Sequence, residues 1–124
     1  MIAHQLPTNN PFGKIQCDID LKADEIIKDH LKKCGAVHSA SSEEIPEVIF
    51  TLKCVKSVEL CPEGKYYVTF DPIDGSAVMD SNFSVASAFS IWNAKTCDGL
   101  CGKDLVGAAL SVYGSRTTLI LYNT

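Results

Sequence analysis

A short run of strand-forming residues at 66–70 ends abruptly in an acidic turn at 71–76, whose sequence is DPIDGS. Because Pro72 fixes φ and has no N–H to donate to a strand ladder, we expect the strand to end before it. In open α/β sheets, ligands bind beyond the carboxyl ends of the strands. The sequence therefore predicts that Asp71 and Asp74 lie at a ligand-binding edge of a sheet.

The acidic turn combines two carboxylates with a residue that permits close approach. Gly75 has no side chain, so its N–H and that of Ser76 can point at an anion. Mg²⁺ prefers oxygen ligands and keeps water and substrate oxygens in its shell, so the turn suits a magnesium ion bound together with a phosphate. Asp, Pro and Gly are also the commonest turn residues. Taken alone, the turn is therefore more typical of a plain polar loop.

An amphipathic pattern predicts a helix over residues 19–34. Apolar residues recur there at helical spacing, and charged residues occupy the opposite face. Asp18 and Asp20 are candidates for the N-cap, and Gly35 is a natural residue for the position after the helix. Together with the strands predicted below, this helix indicates the α/β or α+β class.

The rest of the chain is predicted as one domain of strands and loops with a second helix. Residues 1–13 have the composition of a polar leader or loop, and residues 14–124 form the domain. Residues 104–113 fit a short buried helix with Asp104 as its N-cap. The apolar last strand needs neighbours on both sides, so the domain is expected to continue past Thr124. Strands are expected at 47–61, 66–70, 83–92 and 117–122.

Composition and charge exclude several classes of function. The net charge of −4 argues against non-specific binding to nucleic acid, which requires basic patches. No segment approaches the roughly 20 apolar residues that span a bilayer, so no membrane partner is expected. The first residues lack a signal peptide, which favours a cytoplasmic protein, or a plastid one if a presequence precedes this chain.

Six cysteines are present in the sequence. Without a secretory signal, we expect them to be reduced and mostly buried thiols. Cys97 and Cys101, four residues apart, are the candidates for a redox-regulated pair because they are close in sequence.

Two further acidic features precede the turn. Glu43 and Glu44 are adjacent, and like charges are best tolerated in a site when a cation lies between them. The alternative is a helix capping box formed by Ser41 and Glu44. Asp20, taken alone, is either an N-cap or a surface charge, so none of these features alone identifies a site.

Taken in chain order, these features resemble the family of the sugar bisphosphatases fructose-1,6-bisphosphatase and sedoheptulose-1,7-bisphosphatase. Residues 70–76 resemble its signature F-D-P-[LI]-D-G-S, and residues 42–44 match its S-E-E. Residues 20–27 resemble its D-V-x-[SA]-[ND]-x-[LI]-[LIV] helix, and residues 113–118 its Y-G-x-x-T-T strand entry. Details at 80–85, 92 and 116–118 favour the sedoheptulose branch. Inositol monophosphatases are a weaker alternative, since they share only the D-P-x-D-G-[ST] core.

The resemblance implies a fold, a reaction and a set of site residues. The fold is a layered α-β-α-β-α sandwich, of which this chain holds the N-terminal half. The reaction is hydrolysis of the 1-phosphate of a sugar bisphosphate by an activated water with two or three Mg²⁺ ions, in an enzyme expected to be a homo-oligomer. The implied catalytic pair is Asp20 and Glu44. The implied metal ligands are Glu43, Asp71, the carbonyl of Ile73, and Asp74. The implied phosphate-binding residues are Asp74, Gly75, Ser76 and Ala77.

The sequence also departs from the family pattern. Ala77 stands where a second Ser is usual, and Lys14 stands where an acidic residue often binds an additional metal. The family's later half supplies a further metal-binding glutamate and the residues that hold the sugar, so we expect this chain alone to be inactive. Two hypotheses remain: a fragment of a true bisphosphatase, or a short non-catalytic remnant that binds Mg²⁺ or phosphate weakly, or dimerises.

Overall fold

The computed structural model describes residues 5–9, 15–44 and 58–124, and the side chains of residues 17–44 and 59–124. One α-helix and eight strands are formed within these ranges. Their bounds are β1 Gln5–Asn9, β2 Ile15–Cys17, α1 Asp18–Cys34, β3 Val37–Ser42, β4 Val58–Glu59, β5 Tyr66–Asp74, β6 Val85–Trp92, β7 Leu105–Tyr113 and β8 Thr117–Asn123.

Helix α1 confirms the helix predicted over 19–34. Gly35 follows it in the left-handed conformation at φ 69°, and its N–H donates to the carbonyl of Lys32 at 3.3 Å. The predicted N-cap was wrong, because Cys17 occupies that position in extended conformation. Asp20 lies one turn further on, where its carboxylate accepts the N–H of Cys17 at 3.0 Å.

Six strands form one sheet in the order β4-β3-β5-β6-β7-β8. Strands β3 and β5 are parallel, and every other neighbouring pair in the sheet is antiparallel. Strands β1 and β2 pair separately as a two-stranded antiparallel ribbon. With α1 packed on the sheet, the predicted α/β class is confirmed.

The core lies between α1 and the centre of the sheet. Val37, Ala40, Val68 and Phe70 are buried there, and side chains of α1 such as Ile27 pack against them. Each fully buried side chain of the size of Val or Phe contributes about 1.5–3 kcal/mol. Phe70 also stacks on a ring of the next strand, Phe89, with centroids 6.0 Å apart. This packing holds the second half of α1 against β3 and β5.

The helix predicted over 104–113 is wrong, because these residues form β7. This strand pairs with β6 on one side and β8 on the other. A continuous apolar run is compatible with either a buried helix or a buried strand, and pairing on both edges outweighs the helical propensity of residues such as Ala108. Asp104 instead caps the short 3₁₀ turn Gly102–Asp104, where its carboxylate accepts the N–H of Cys101 at 2.9 Å.

The other element predictions have mixed outcomes. The strands predicted at 83–92 and 117–122 are confirmed as β6 and β8. The strand predicted at 66–70 does not end at Asp71 but continues to Asp74. The segment predicted as a leader or loop contains β1. Of the strands predicted at 47–61, only the part containing β4 is described, and residues 45–57 lie outside the described residues.

Candidate active site

The carboxyl end of β3 lies beside Asp71 in β5, which brings two acidic residues to neighbouring positions of the sheet. These strands are parallel, with Ser42 opposite Phe70, so Glu43 and Asp71 each follow one member of this pair. The N–H of Glu43 donates to the carbonyl of Phe70 at 3.1 Å, which extends the ladder by one bond. Neighbouring strands lie about 4.8 Å apart. Glu43 and Asp71 therefore occupy neighbouring backbone positions in the sheet.

Glu43 and Asp71 both line an open cavity of about 760 Å³. A cavity of this size can take a small organic ligand. They are its only acidic residues among those described, and the rest of the lining is aromatic, aliphatic, hydroxyl or thiol. The other lining residues are Ser41, Ser42, Tyr67, Thr69, Phe70, Ala88, Phe89, Ser90, Trp92, Cys97 and Leu100.

Asp20 reaches the same region from the first turn of α1. Its side chain is only 2% exposed, and its Oδ2 accepts both the N–H of Cys17 at 3.0 Å and the hydroxyl of Ser76 at 2.9 Å. Its other oxygen, Oδ1, is buried and has no hydrogen-bond partner among the described residues. A buried acceptor without a donor costs about 1–3 kcal/mol, so this atom can be satisfied by a proton, a water or a cation.

The electrostatic environment raises the pKa of Asp20 above its ordinary value. Burial is the main cause, because it disfavours the charged form, and the negative charges of Glu43 and Asp18 act in the same direction. The hydrogen bonds from Cys17 and Ser76 oppose the shift by stabilising the carboxylate. The influence of Glu43 shows that the carboxylates from α1 and from the end of β3 lie near one another. Asp20 therefore binds a proton more readily than an ordinary aspartate does.

Glu44 is also buried, with 8% of its surface exposed. Its N–H donates to the hydroxyl of Ser42 at 3.2 Å, which helps to turn the chain after β3. The capping-box alternative requires a helix to begin beyond Glu44, and that segment lies outside the described residues. The catalytic role of Glu44 therefore stays a prediction.

The predicted phosphate-binding residues begin at the end of β5. Asp74 is its exposed last residue, and Gly75 follows in the left-handed conformation at φ 89°, which a residue with a side chain adopts only with strain. Ser76 then opens the short 3₁₀ helix Ser76–Ser81, in which Ala77 is exposed. The hydroxyl of Ser76 is engaged with Asp20, so in this structure it holds the acidic residue and does not face an open anion site.

The structure therefore brings together some of the predicted residues. Asp20 lies beside Ser76 and near Glu43, and Glu43 lies beside Asp71. Within residues 17–44 and 59–124, no group of three or more His, Cys, Asp or Glu side chains is close enough to hold a metal ion. The assignment of metal ligands stays a prediction, although the carboxylate oxygens and the unsatisfied Oδ1 of Asp20 have the chemistry that Mg²⁺ prefers.

Two contributors to this region were not predicted as site residues. The hydroxyl of Ser87 donates to the carbonyl of Pro72 at 2.6 Å, and the hydroxyl of Tyr113 lies 3.0 Å from that of Ser87. Tyr113 belongs to the Y-G-x-x-T-T motif, which is a signal that could have indicated its importance. Ser87 carries no comparable signal, because a serine within a strand is unremarkable in sequence.

No helix in the described part of the chain has the length and apolar character that crossing a membrane requires.

Comparison with known proteins connects this site to one family. A family model described as "Fructose-1-6-bisphosphatase, N-terminal domain" matches residues 2–124. The chain is 38% identical over 112 residues to the chloroplastic sedoheptulose-1,7-bisphosphatase of Spinacia oleracea, covering 90% of this chain and 27% of the relative. It is 33% identical over 112 residues to the class 1 fructose-1,6-bisphosphatase of Campylobacter concisus, covering 90% of this chain and 34% of that relative. The chain thus spans about a third or less of the length of these relatives.

Solved structures share the fold. Fructose-1,6-bisphosphatase of Leishmania major in holo form superposes with a TM-score of 0.81 at 26% identity, covering 98% of this chain and 39% of that one. A putative sedoheptulose-1,7 bisphosphatase from Toxoplasma gondii gives a TM-score of 0.80 at 26% identity, covering 99% and 39%. The family match, the relatives and the fold agree with the acidic motifs at the ends of β3 and β5. The chain belongs to the fructose-1,6-bisphosphatase family, as part of its N-terminal domain.

Proposed function

We propose that this chain supplies the acidic part of the active site of a sugar bisphosphatase, which hydrolyses the 1-phosphate of a sugar bisphosphate in carbohydrate metabolism. The observation that carries the proposal is that Glu43, which follows β3, lies beside Asp71 in β5 and near Asp20 in the first turn of α1. The relatives that match this chain are named as sugar bisphosphatases, which supports the same reaction.

Magnesium is the cofactor we propose for this reaction. Glu43, Asp71, Asp74 and the carbonyl of Ile73 would hold it, and the further ligands that a complete site requires would come from outside this chain. When bound, Mg²⁺ neutralises charge on the transferring phosphoryl group and makes water more acidic. We expect two or three ions per complete site, because the family resemblance implies that number.

Asp20 and Glu44 are the residues we propose to position the attacking water and to accept its proton. A base works best when its pKa is raised toward the working pH, and burial raises the pKa of Asp20. Ser76 and the N–H of Cys17 hold Oδ2 of Asp20, which leaves Oδ1 as the acceptor for water. In the phosphate-bound state, Gly75, Ser76 and Ala77 would contact the phosphate oxygens through their N–H groups.

Sedoheptulose 1,7-bisphosphate is the substrate we favour over fructose 1,6-bisphosphate. The support is the higher identity to the chloroplastic sedoheptulose bisphosphatases of Spinacia oleracea and Triticum aestivum, at 38% and 36%, than to the Campylobacter concisus fructose bisphosphatase, at 33%. We propose that the complete protein is a homo-oligomer in the cytoplasm, with the plastid as the alternative compartment.

A chimera tests the proposal directly. This chain replaces the aligned segment of the Spinacia oleracea enzyme, and phosphate release from both bisphosphates is measured with and without Mg²⁺. We expect Mg²⁺-dependent hydrolysis by the chimera and little or no turnover by the 124-residue chain alone. A chimera that unfolds cooperatively yet releases no phosphate would refute the proposal, and robust turnover by the chain alone would refute the need for further segments.

The second candidate function is a non-catalytic protein that binds Mg²⁺ or phosphate weakly. It is favoured by the finding that the described residues bring no three candidate ligands together. Isothermal titration of the chain with MgCl₂ and with inorganic phosphate distinguishes the two functions when combined with the chimera. Weak binding together with an inactive chimera would support this second function.

A further inference from the structure

The first part of the acidic turn, residues 71–74, contains a bulge in β5. Strands β5 and β6 pair in regular antiparallel register as far as Asp71 opposite Ala88, and the next pair is Asp74 opposite Ala86. Pro72 and Ile73 of β5 therefore face the single residue Ser87 of β6, so β5 contains one extra residue. A bulge of this kind bends a strand and redirects its side chains. The extra residue lies at Pro72 or Ile73, between the two aspartates.

The side chain of Ser87 faces this bulge from β6, in the position between Ala86 and Ala88. Its hydroxyl donates to the carbonyl of Pro72 at 2.6 Å and lies 3.0 Å from the hydroxyl of Tyr113 on β7. A serine hydroxyl has one hydrogen, and a carbonyl can only accept, so that hydrogen belongs to the bond with Pro72. Tyr113 must therefore donate to Ser87, and the chain of hydrogen bonds runs from Tyr113 through Ser87 to Pro72.

The hydrogen bond from Ser87 to Pro72 is buried. Pro72 is less than 2% exposed and Ser87 is 5% exposed, so water does not readily replace the serine as a donor. A bulge disrupts the ladder locally, and buried carbonyls are almost always paired with a donor. Ser87 provides that donor, and Tyr113 orients it from the neighbouring strand.

We propose that Ser87 and Tyr113 are positioning residues that set the conformation of the Pro72–Ile73 bulge and, through it, the relative placement of Asp71 and Asp74. The inference rests on the proposed function in one respect, namely that these two carboxylates act together on a cation. Neither Ser87 nor Tyr113 needs to contact the substrate. Their effect is transmitted through the backbone carbonyl that lies between the two aspartates.

The first test is made on the 124-residue chain without metal. In an HNCO spectrum, the ¹³C′ signal of Pro72, detected through the amide of Ile73, reports the hydrogen bond to that carbonyl. Ser87→Ala should shift this signal upfield and move the carboxyl ¹³C signals of Asp71 and Asp74, whereas Ser87→Thr, which retains a hydroxyl, should restore all three.

The matched control for this test is Ser111→Ala. Ser111 lies opposite Ser87 in the β6–β7 register, so the variant removes the same hydroxyl from the neighbouring strand. It should leave the Pro72 signal unchanged. If Ser87→Ala does not fold, Tyr113→Phe removes only the outer hydroxyl of a residue that is 39% exposed and should cause a smaller upfield shift. Unchanged Pro72 and carboxyl signals in a folded variant would overturn the proposal.

The second test uses Mn²⁺ as a spectroscopic probe of the cation site. If the wild-type chain binds Mn²⁺, Ser87→Ala should weaken binding about tenfold, the lower end of the effect of residues that orient metal ligands. Ser87→Thr should recover most of the loss. Equal binding by wild type and Ser87→Ala would overturn the positioning role and leave the proposed function standing. No binding by the wild-type chain would agree with a cation site that needs ligands from outside this chain, and the Pro72 and carboxyl signals would then decide the positioning role.

Discussion

Two regions of the molecule differ in which groups they leave unsatisfied. The acidic end is formed by Asp20, Glu43 and Asp71, and the β8 edge is the outer strand Thr117–Asn123. At the acidic end, Asp20 is 2% exposed and carries a buried oxygen with no partner among the described residues. On β8, Leu119 and Leu121 are 62% and 69% exposed on an outer strand of the sheet. Among the described residues, the first region holds a buried oxygen without a donor, and the second holds exposed apolar side chains.

This difference determines which conditions each region responds to. A buried carboxylate contributes a free energy that changes with pH and with bound cations. Exposed leucines on an outer strand contribute little that depends on pH, but they favour association with other chains. Chemical conditions should therefore alter the acidic end, and protein concentration should alter the β8 edge.

The largest expected effect is on catalysis at the acidic end. In the chimera described above, Glu44→Gln should lower kcat by about 10²–10⁴-fold, the usual contribution of a general base, and Asp71→Asn should abolish turnover. Both variants should keep the wild-type circular dichroism spectrum, because each side chain is nearly isosteric with its replacement. Near-normal kcat in either variant would contradict the role assigned to that residue.

The next effect is on stability, and it depends on pH. Asp20 has a raised pKa in the folded state, so its stabilising contribution is complete below the ordinary Asp pKa and is lost as the pH rises through the folded value. At neutral pH without divalent cations, Asp20→Asn should therefore increase the free energy of unfolding by about 1 kcal/mol. The amide oxygen can still accept the bonds from Cys17 and Ser76.

Urea unfolding from pH 4 to pH 8 measures this difference between Asp20→Asn and the wild type. The difference in the free energy of unfolding between Asp20→Asn and the wild type should shrink toward acid pH, because Asp20 of the wild type is itself protonated there. Asp98→Asn is the matched control, since Asp98 is exposed in the loop after β6 and should show no such trend. A gain that is constant across the pH range would show that burial of charge at Asp20 is not its cause.

The smallest effect on stability is expected at the β8 edge. Leu121→Lys should change the free energy of unfolding by no more than about 0.5 kcal/mol, because the side chain is already exposed. It should nevertheless lower self-association, as measured by sedimentation velocity over a range of protein concentrations. Ile26→Lys, on the exposed face of α1 with 59% of Ile26 exposed, is the control and should have little influence. Equal changes in both variants would remove the distinction between β8 and the rest of the surface.

Several elements could be predicted because their signals are local. The bounds of α1 follow from helical periodicity and from Gly35, and β8 follows from a run of β-branched and apolar residues. The location of the acidic turn was predictable for the same reason. The prediction for 104–113 failed because Gly and Ala occur in both helices and buried strands, and only pairing with β6 and β8 distinguishes them.

β5 continues through Pro72, although the sequence predicted that the strand ends before this residue. Proline normally ends a strand because it cannot donate to the ladder. Here one extra residue in β5 forms a bulge, and the hydroxyl of Ser87 pairs with the Pro72 carbonyl. This serine lies fifteen residues away along the chain, where a rule about neighbouring residues cannot identify it.

The chemistry that this chain can offer is readable from its residues in order: carboxylates at residues 20, 43, 44, 71 and 74, a glycine suited to the left-handed turn at 75, and the motifs of a bisphosphatase family. Two contacts are visible only in the folded chain: Asp20 accepts a hydrogen bond from the hydroxyl of Ser76, 56 residues away, and Glu43 lies beside Asp71. Residue types and local periodicity are properties of short segments. Contacts between distant residues depend on strand register and on the packing of α1, which the whole chain establishes together.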